Sequence, residues 1–596
     1  MKDFIKMTLA VIAGIIIVSI VSTVIAVGIA ASIGASGKSV AQLTGNSVLK
    51  IDLSKITLGE QSAESNPLSK VQGQGDNATI GILDAVNAIN AAAEDPFVKF
   101  IFLKTDGYMG DVTYLQELRG SLARFRSSGK PVISYIESPT TGSYYIASVA
   151  DKVYMTAHPG ASPTITGVST QMVFLKDILD ILGVEVQLIR HGRYKSAGET
   201  FVRNTPSDDN LLQYKTLVNS IWGSISSEIA DSRDITVDDL NSCIDNLKLS
   251  LPEDFLDEKL VDELLTAGQL EDKIATFAQV ESIKDVKMAD FADYVASRTA
   301  LASKAKNKIA VIYADGDIID GSESKNVAGD RFAGIISSVR ADSSVKAVVL
   351  RVNSPGGSVL ASEKIKTELD LLKKDKPLIA SFGAYAASGG YWISNNCDRI
   401  FSNPSTLTGS IGVFSLIPNF GKTARNLAHV NFVTVSSNKH GDMYALMRRF
   451  DEDETAYQQR SVEMIYDKFT SMVSEGRNLD KDYVDGIGQG RVWSGLDALS
   501  IGLVDEIGSL EDAIGYAAVC AGDEDTANWN ITAYPKPQTT IEMLMELFGE
   551  KSRVSAMVQD TMLEGVFSTM KDWAEAAGKG KADITFARLP YEISIR

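Results

Sequence analysis

The chain has 596 residues, too many for one hydrophobic core, and length alone suggests about three to four domains' worth of material. Hydrophobic residues make up 44% and charged residues 22%, while a net charge of -18 leaves nothing to neutralise phosphates and argues against nucleic acid as a partner. Three cysteines, Cys243, Cys397 and Cys520, form neither a disulfide framework nor a metal spacing and read as buried small residues.

From Met7 to Gly37 there is no charged residue, a run longer than the roughly 20 residues needed to cross a bilayer. Residues 1–37 are therefore expected to form one transmembrane helix. A cleaved secretory signal has a shorter apolar region, of about 7 to 15 residues. Lys2 and Lys6 precede the run, which keeps the N-terminus in the cytoplasm and places the body on the extracytoplasmic, periplasmic side of the inner membrane.

After a polar linker, Ser47 to Leu53 alternates as a strand does, Val98 to Lys104 is a second strand, Leu115 to Arg126 a helix and Lys130 to Ile136 a third strand. Strand, helix, strand at this spacing predicts right-handed βαβ units. Val184 to Leu188 is another apolar strand, with Lys195 in the loop beyond it. The grammar then returns: strands at Lys308 to Tyr313 and Val345 to Arg351, a helix from Val359 to Lys373, and a strand at Lys376 to Ala380. Val98-Lys99 falls on Val345-Lys346, and Tyr144-Tyr145-Ile146-Ala147 on Tyr391-Trp392-Ile393-Ser394, both at an offset of 247; Leu260 to Leu264 echoes Leu503 to Ile507 at 243. The chain is a tandem duplication of one α/β domain, with halves expected at 38–300 and 301–596.

The second half alone carries a glycine-rich apparatus. Ser388 sits in Ala386-Ala387-Ser388-Gly389-Gly390-Tyr391-Trp392, where a strand hands over to a helix and a hydroxyl is held at the helix start; the first half has Thr141-Gly142 there. That pattern suits a nucleophile, and equally suits plain close packing of helix on sheet. Gly356-Gly357, in Asn353-Ser354-Pro355-Gly356-Gly357, is expected to be a turn that opens a helix near Ser358, leaving its N–H groups free to face a ligand oxygen. The bland alternative is a turn whose glycines only relieve strain. A serine needs a base, yet none of His158, His191, His429 and His440 sits in a recognisable His-Asp framework. Lysine is the other option, provided burial brings its pKa from about 10.4 down to about 7.5.

Gly192-Arg193-Tyr194-Lys195-Ser196-Ala197, Asn353-Ser354-Pro355-Gly356-Gly357, Ala387-Ser388-Gly389-Gly390-Tyr391, Gly409-Ser410-Ile411-Gly412-Val413 and Gly502-Leu503-Val504-Asp505 together resemble the signal peptide peptidase A family in its long, duplicated form. The resemblance covers nearly the whole chain, including the final Ala587-Arg588-Leu589-Pro590-Tyr591-Glu592. It implies a Clp protease/crotonase-like fold in each half and a Ser/Lys dyad, with Ser388 as nucleophile and Lys195 as general base. Gly356, Gly357 and Gly389 would supply the oxyanion-hole N–H groups. Unduplicated relatives carry the lysine about fifty residues after the serine, which makes Lys439 the competitor. The implied substrates are signal peptides and other apolar peptides left in the membrane, cut by a homo-oligomer, expected to be a tetramer. The apolar positions from Ile541 to Trp573 fit packing between copies or ordinary core. No cofactor and no metal are expected, since neither a Walker loop nor a zinc motif is present. A crotonase-type acyl-CoA enzyme and a non-catalytic scaffold of the same fold are the alternatives.

Overall fold

Two parallel sheets with one shared strand order account for most of the chain. The computed structural model describes residues 45–63, 78–108, 110–299, 303, 305–536 and 585–588. The expected membrane span and the stripe from Ile541 to Trp573 lie outside these residues; among the described residues no helix is long and apolar enough to cross a membrane.

The first half runs through β1 (Ser47–Asp52), α1 (Ile82–Glu94), β2 (Val98–Lys104), α2 (Val112–Ser127), β3 (Val132–Ile136), α3 (Thr141–Ala147), β4 (Lys152–Thr156), β5 (Glu185–His191), α4 (Asp208–Arg233), β6 (Glu263–Leu265) and β7 (Lys287–Asp290). Its sheet has the order β6-β4-β3-β2-β1-β7, every pair parallel, and β5 leaves it. The second half begins with β8 (Lys308–Asp315), β9 (Ile318–Ile319), β10 (Val345–Ser354), β11 (Gly356–Ser358), α5 (Val359–Asp375), β12 (Leu378–Ala387) and α6 (Gly389–Ser394). It continues through β13 (Arg399–Ser402), β14 (Leu407–Gly409), β15 (Val413–Asn419), α7 (Glu452–Arg477), β16 (Val492–Ser494), β17 (Glu506–Ile507), α8 (Leu510–Ala521) and β18 (Asn530–Tyr534). Its sheet repeats the order as β17-β13-β12-β10-β8-β18, again all parallel, with β14 and β16 added beside the upper end of β12.

The strands expected from sequence are present, most of them within three residues of their expected bounds, while β12 runs on to Ala387, seven residues past the expected Ala380. Central strands read as continuous apolar runs because helices cover both sheet faces: Ile309, Ala310, Val311 and Ile312 of β8 are all buried. The duplication extends to single hydrogen bonds. Tyr144 Oη donates to Leu260 O at 2.6 Å, and Tyr391 Oη to Leu503 O at 2.8 Å. Asp262 accepts from Val153 N at 2.7 Å while paired with Arg233; Asp505 accepts from Ile400 N at 2.8 Å while paired with Arg477.

A third sheet stitches the halves together. β5 pairs antiparallel with β15 along its whole length, from Glu185 opposite Asn419 to His191 opposite Val413. On the other side of β15 lies β19 (Thr585–Arg588), then β11, then β9.

Two expectations need correction. Gly356-Gly357 is not a free turn but part of β11, paired with β9 and β19, although the helix does open where expected, at Val359 with Ser358 as its N-cap. The reason is steric: Gly356 has φ of 99°, and a Cβ on Gly357 would run into Ile318 O, so only glycines let the chain continue here as a strand against β9. Cys520 is exposed at the end of α8, whereas Cys243 and Cys397 are buried as expected.

Candidate active site

β12 brings Ser388 to the site and ends there. Its backbone sits at φ 54°, ψ -110°, a region that costs a residue with a Cβ on the order of 1–3 kcal/mol and persists only where the surroundings hold it. Here Ser388 N donates to Gly409 O of β14 and Trp392 N donates to Ser388 O, both at 2.8 Å. The flanking glycines are obligatory. A Cβ on Gly389 would lie 2.8 Å from Ser362 Oγ and 3.1 Å from both Gly356 Cα and Gly357 N; one on Gly390 would lie 2.6 Å from Ser354 O. Close packing and a presented hydroxyl, the two readings the sequence left open, are therefore the same feature.

Lys195 arrives from the other half. β5 lies on β15, and the loop beyond it turns back onto the second half, where Tyr194 N donates to Gln489 O at 2.9 Å. Arg190 braces the loop from below, donating to Lys195 O at 2.8 Å and pairing with buried Glu199 at 3.1 Å. Glu199 in turn accepts from Ser207 and Asn210. Gly490 leaves room for the stem, since a Cβ there would fall 2.5 Å from Lys195 Cβ.

The result is an amine with 1% of its residue exposed, its Nζ 2.8 Å from Ser388 Oγ, 2.9 Å from Ser410 Oγ and 3.2 Å from Ser410 O. The Phe414 ring lies 5.9 Å from Nζ. Burial, with no carboxylate to offset it, lowers the Lys195 pKa from the ordinary 10.5 to about 7. Such an amine is largely neutral just above neutrality and able to take a proton from the serine.

The residues singled out from sequence thus meet: Ser388, Lys195, Gly389, Gly356 and Gly357 lie in one cluster. Gly356 N is engaged with Ser354 Oγ at 3.2 Å. The competitors lie elsewhere. Lys439, with 66% of its side chain exposed, pairs with Asp453, which raises its pKa. His440 contacts Glu454 at 2.9 Å, and His191 stacks on Tyr466.

Sequence reasoning missed Ser410. Its motif, Gly409-Ser410-Ile411-Gly412-Val413, was visible, and the positive φ of 48° is what turns the hydroxyl and carbonyl of one residue onto the same amine. It also missed Arg351. This fully buried guanidinium, on β10 three residues before Ser354, binds Glu60 at 2.7 and 3.2 Å and Glu117 at 2.8 Å, all across the boundary between halves. Arg351 also donates to Ser381 Oγ at 3.0 Å and Phe382 O at 3.2 Å on β12. Burial pushes the Glu60 carboxyl up, and Arg351 opposes that shift. The one signal was a charge inside an otherwise apolar run, Val348-Val349-Leu350-Arg351-Val352.

Residues 124–281 and 370–522 match Peptidase family S49, one segment in each half. Lys195 lies in the first segment and Ser388 in the second. Protease 4 of Haemophilus influenzae is 35% identical over 520 residues, covering 83% of both chains. Protease 4 of Salmonella typhi is 34% identical over 477 residues, 78% of this chain and 75% of that one. A chloroplastic serine protease, SPPA, of Arabidopsis thaliana is 28% identical over 492 residues, 80% of this chain and 71% of its own.

Proposed function

The chain belongs to peptidase family S49 and is a serine peptidase, and from that premise we propose that Ser388 and Lys195 are its catalytic dyad. The observation that carries the reading is the 2.8 Å contact between Lys195 Nζ and Ser388 Oγ, made where burial keeps the amine near pKa 7.

Ser388 Oγ attacks the scissile carbonyl carbon as Lys195 Nζ takes the hydroxyl proton. The carbonyl oxygen becomes an oxyanion, held by backbone N–H groups from the Gly389 and Gly356-Gly357 region, where each donor typically lowers the barrier by about 3 to 4 kcal/mol. Lys195 returns the proton to the amine as the C–N bond breaks, leaving an ester on Ser388. Water then attacks the ester, gives its proton to Lys195, and Ser388 recovers it when the acid leaves. Ser410 holds Nζ in line throughout.

The substrates are signal peptides and similar apolar peptides in the membrane. Supporting this are the uncharged run from Met7 to Gly37, which would anchor the body at the surface where such fragments are found, and the motifs shared with the signal peptide peptidase A family. Each half is a Clp protease/crotonase-like domain, residues 38–300 and 301–596, and the working form is a homo-oligomer, a tetramer, on the extracytoplasmic side of the inner membrane. The repeated strand order and the split dyad support the two-domain reading. The test is hydrolysis of a fluorogenic peptide with an apolar residue before the cleaved bond, by the wild type and by Ser388→Ala, Lys195→Ala and Lys439→Ala. The first two variants are expected to be inactive and the third to match wild type; an active Lys195→Ala with a dead Lys439→Ala overturns the dyad.

A further inference from the structure

The segment that leaves β13 and rises through β14 to Ser410 is tied down along its whole length. Its side chains donate in turn to main-chain oxygens of β12: Asn403 Nδ2 to Phe382 O at 3.2 Å, Thr406 Oγ1 to Gly383 O and Thr408 Oγ1 to Ala386 O, both at 2.7 Å. Its upper end serves the dyad. Gly409 O accepts from Ser388 N, and Ser410 accepts from Lys195 Nζ through both its carbonyl and its hydroxyl. A slip of this segment along β12 therefore moves the serine's backbone anchor and the lysine's cradle together.

The lower end is gripped by the other half of the chain. Gln116 of α2 donates from Nε2 to Ser405 Oγ at 2.9 Å and accepts from Ser405 N at 3.3 Å, so one amide holds both a side chain and the main chain. Its neighbour Glu117 accepts from Asn403 Nδ2 at 2.9 Å, from Arg351 at 2.8 Å and from Leu510 N at 3.3 Å. Both residues are buried. An amide and a carboxylate in that position cost free energy unless they are bonded, and here their partners come from the second half. The repeat shows that the fold itself does not require them. At the offset of 247, Gln116 and Glu117 fall on Glu363 and Lys364 of α5, which pair with Lys468 and Asp330 and have 36% and 38% of their side chains exposed.

We infer that Gln116 and Glu117 are positioning residues for the peptidase site: by fixing residues 403–405 they set where Gly409 O and Ser410 stand. The first half thus supplies the base and also the footing on which base and nucleophile meet. The inference rests on the Ser388 and Lys195 reading above and adds to it two residues that act only through the segment they hold. Because the grip closes on Ser405, five residues before Ser410, its loss disturbs the geometry of attack and leaves peptide binding as it was.

The test follows peptide hydrolysis across pH, and the rate at which a fluorophosphonate labels Ser388, in the full chain and in Gln116→Met, Ser405→Ala and the two combined. The labelled fraction counts folded sites, so kcat per labelled site is free of any loss of stability. Gln116→Met should lower that kcat and the labelling rate roughly 10- to 100-fold, the scale of a small misplacement of reacting groups, with KM unchanged. The midpoint of kcat/KM, about 7 in the unaltered chain, should rise as Ser410 withdraws and water reaches Lys195. Ser405→Ala should move both readouts in the same direction, and the double variant should be no worse than Gln116→Met alone, because the two residues act as one. Wild-type kcat and midpoint in Gln116→Met, losses that multiply in the double variant, or a loss seen only as a smaller labelled fraction would each overturn the inference. Should Gln116→Met leave no folded sites, Ser405→Ala decides: a lower kcat with a raised midpoint supports the grip, and wild-type values refute it. An unaltered chain that does not label at Ser388, or an active Lys195→Ala, would instead sink the dyad reading.

Discussion

Replacing Lys195 by methionine keeps an unbranched stem and removes the amine, and it should make the protein inactive and, at low pH, more stable. The unfolded chain holds this lysine at its ordinary 10.5, the folded chain at about 7. Between those values the unfolded state binds the extra proton, so stability rises with pH across that window; below about pH 7 the full cost of burying the amine is present. At 1.36 kcal/mol per pH unit that cost is about 5 kcal/mol at pH 6 and about 2 kcal/mol at pH 9. Methionine escapes it but loses the contacts of Nζ with Ser388 and Ser410, together about 2 kcal/mol. Lys195→Met should therefore gain about 3 kcal/mol at pH 6 and nothing near pH 9. Urea unfolding from pH 6 to pH 10 measures the difference, and a peptide assay over the same range should show wild-type kcat/KM falling tenfold per unit below about pH 7. A methionine variant that is less stable at pH 6, or a gap that does not change with pH, would refute the buried neutral amine.

Gly357→Ala should leave little hydrolysis, because its Cβ would drive β11 off Ile318; activity above one tenth of wild type, with a native circular dichroism spectrum, would contradict the steric account. Arg351→Leu leaves Glu60 and Glu117 buried without their cation and should cost about 3–5 kcal/mol in urea unfolding; an unchanged midpoint would mean the cluster is hydrated. Tyr144→Phe and Tyr391→Phe remove equivalent hydrogen bonds, and each should cost about 1 kcal/mol. A clear inequality between the two would show that the repeats no longer bear load alike.

Much of this architecture was legible because duplication prints itself twice. A pattern such as Tyr-x-Ile or Leu-Val-Asp, met again at a nearly constant offset, separates what the fold needs from what one copy uses for chemistry, and Ser388-Gly389 against Thr141-Gly142 fell out of that subtraction. Lys195 could be named only through its motif, because nothing local states that the loop after β5 will be covered by residues 410–414 and 489–490. The glycine pair was misread as a free turn for a related reason: its partners, Ile318 and Ala587, lie 39 residues before and 230 after, and strand pairing at that range leaves no local periodicity. Arg351 shows the same limit, since Glu60 is 291 residues away.

The pairing of β5 with β15 also sets a clock. The members of the proposed dyad are 193 residues apart, and the amine reaches the hydroxyl only when a strand of the first repeat has found its place on the second. During synthesis the first repeat emerges with a lysine that has nothing to activate, and the second carries a serine that nothing has yet deprotonated. With the proposed dyad, cleavage would begin only after both repeats have folded and docked, so a nascent or broken copy would be harmless to its neighbours and to itself.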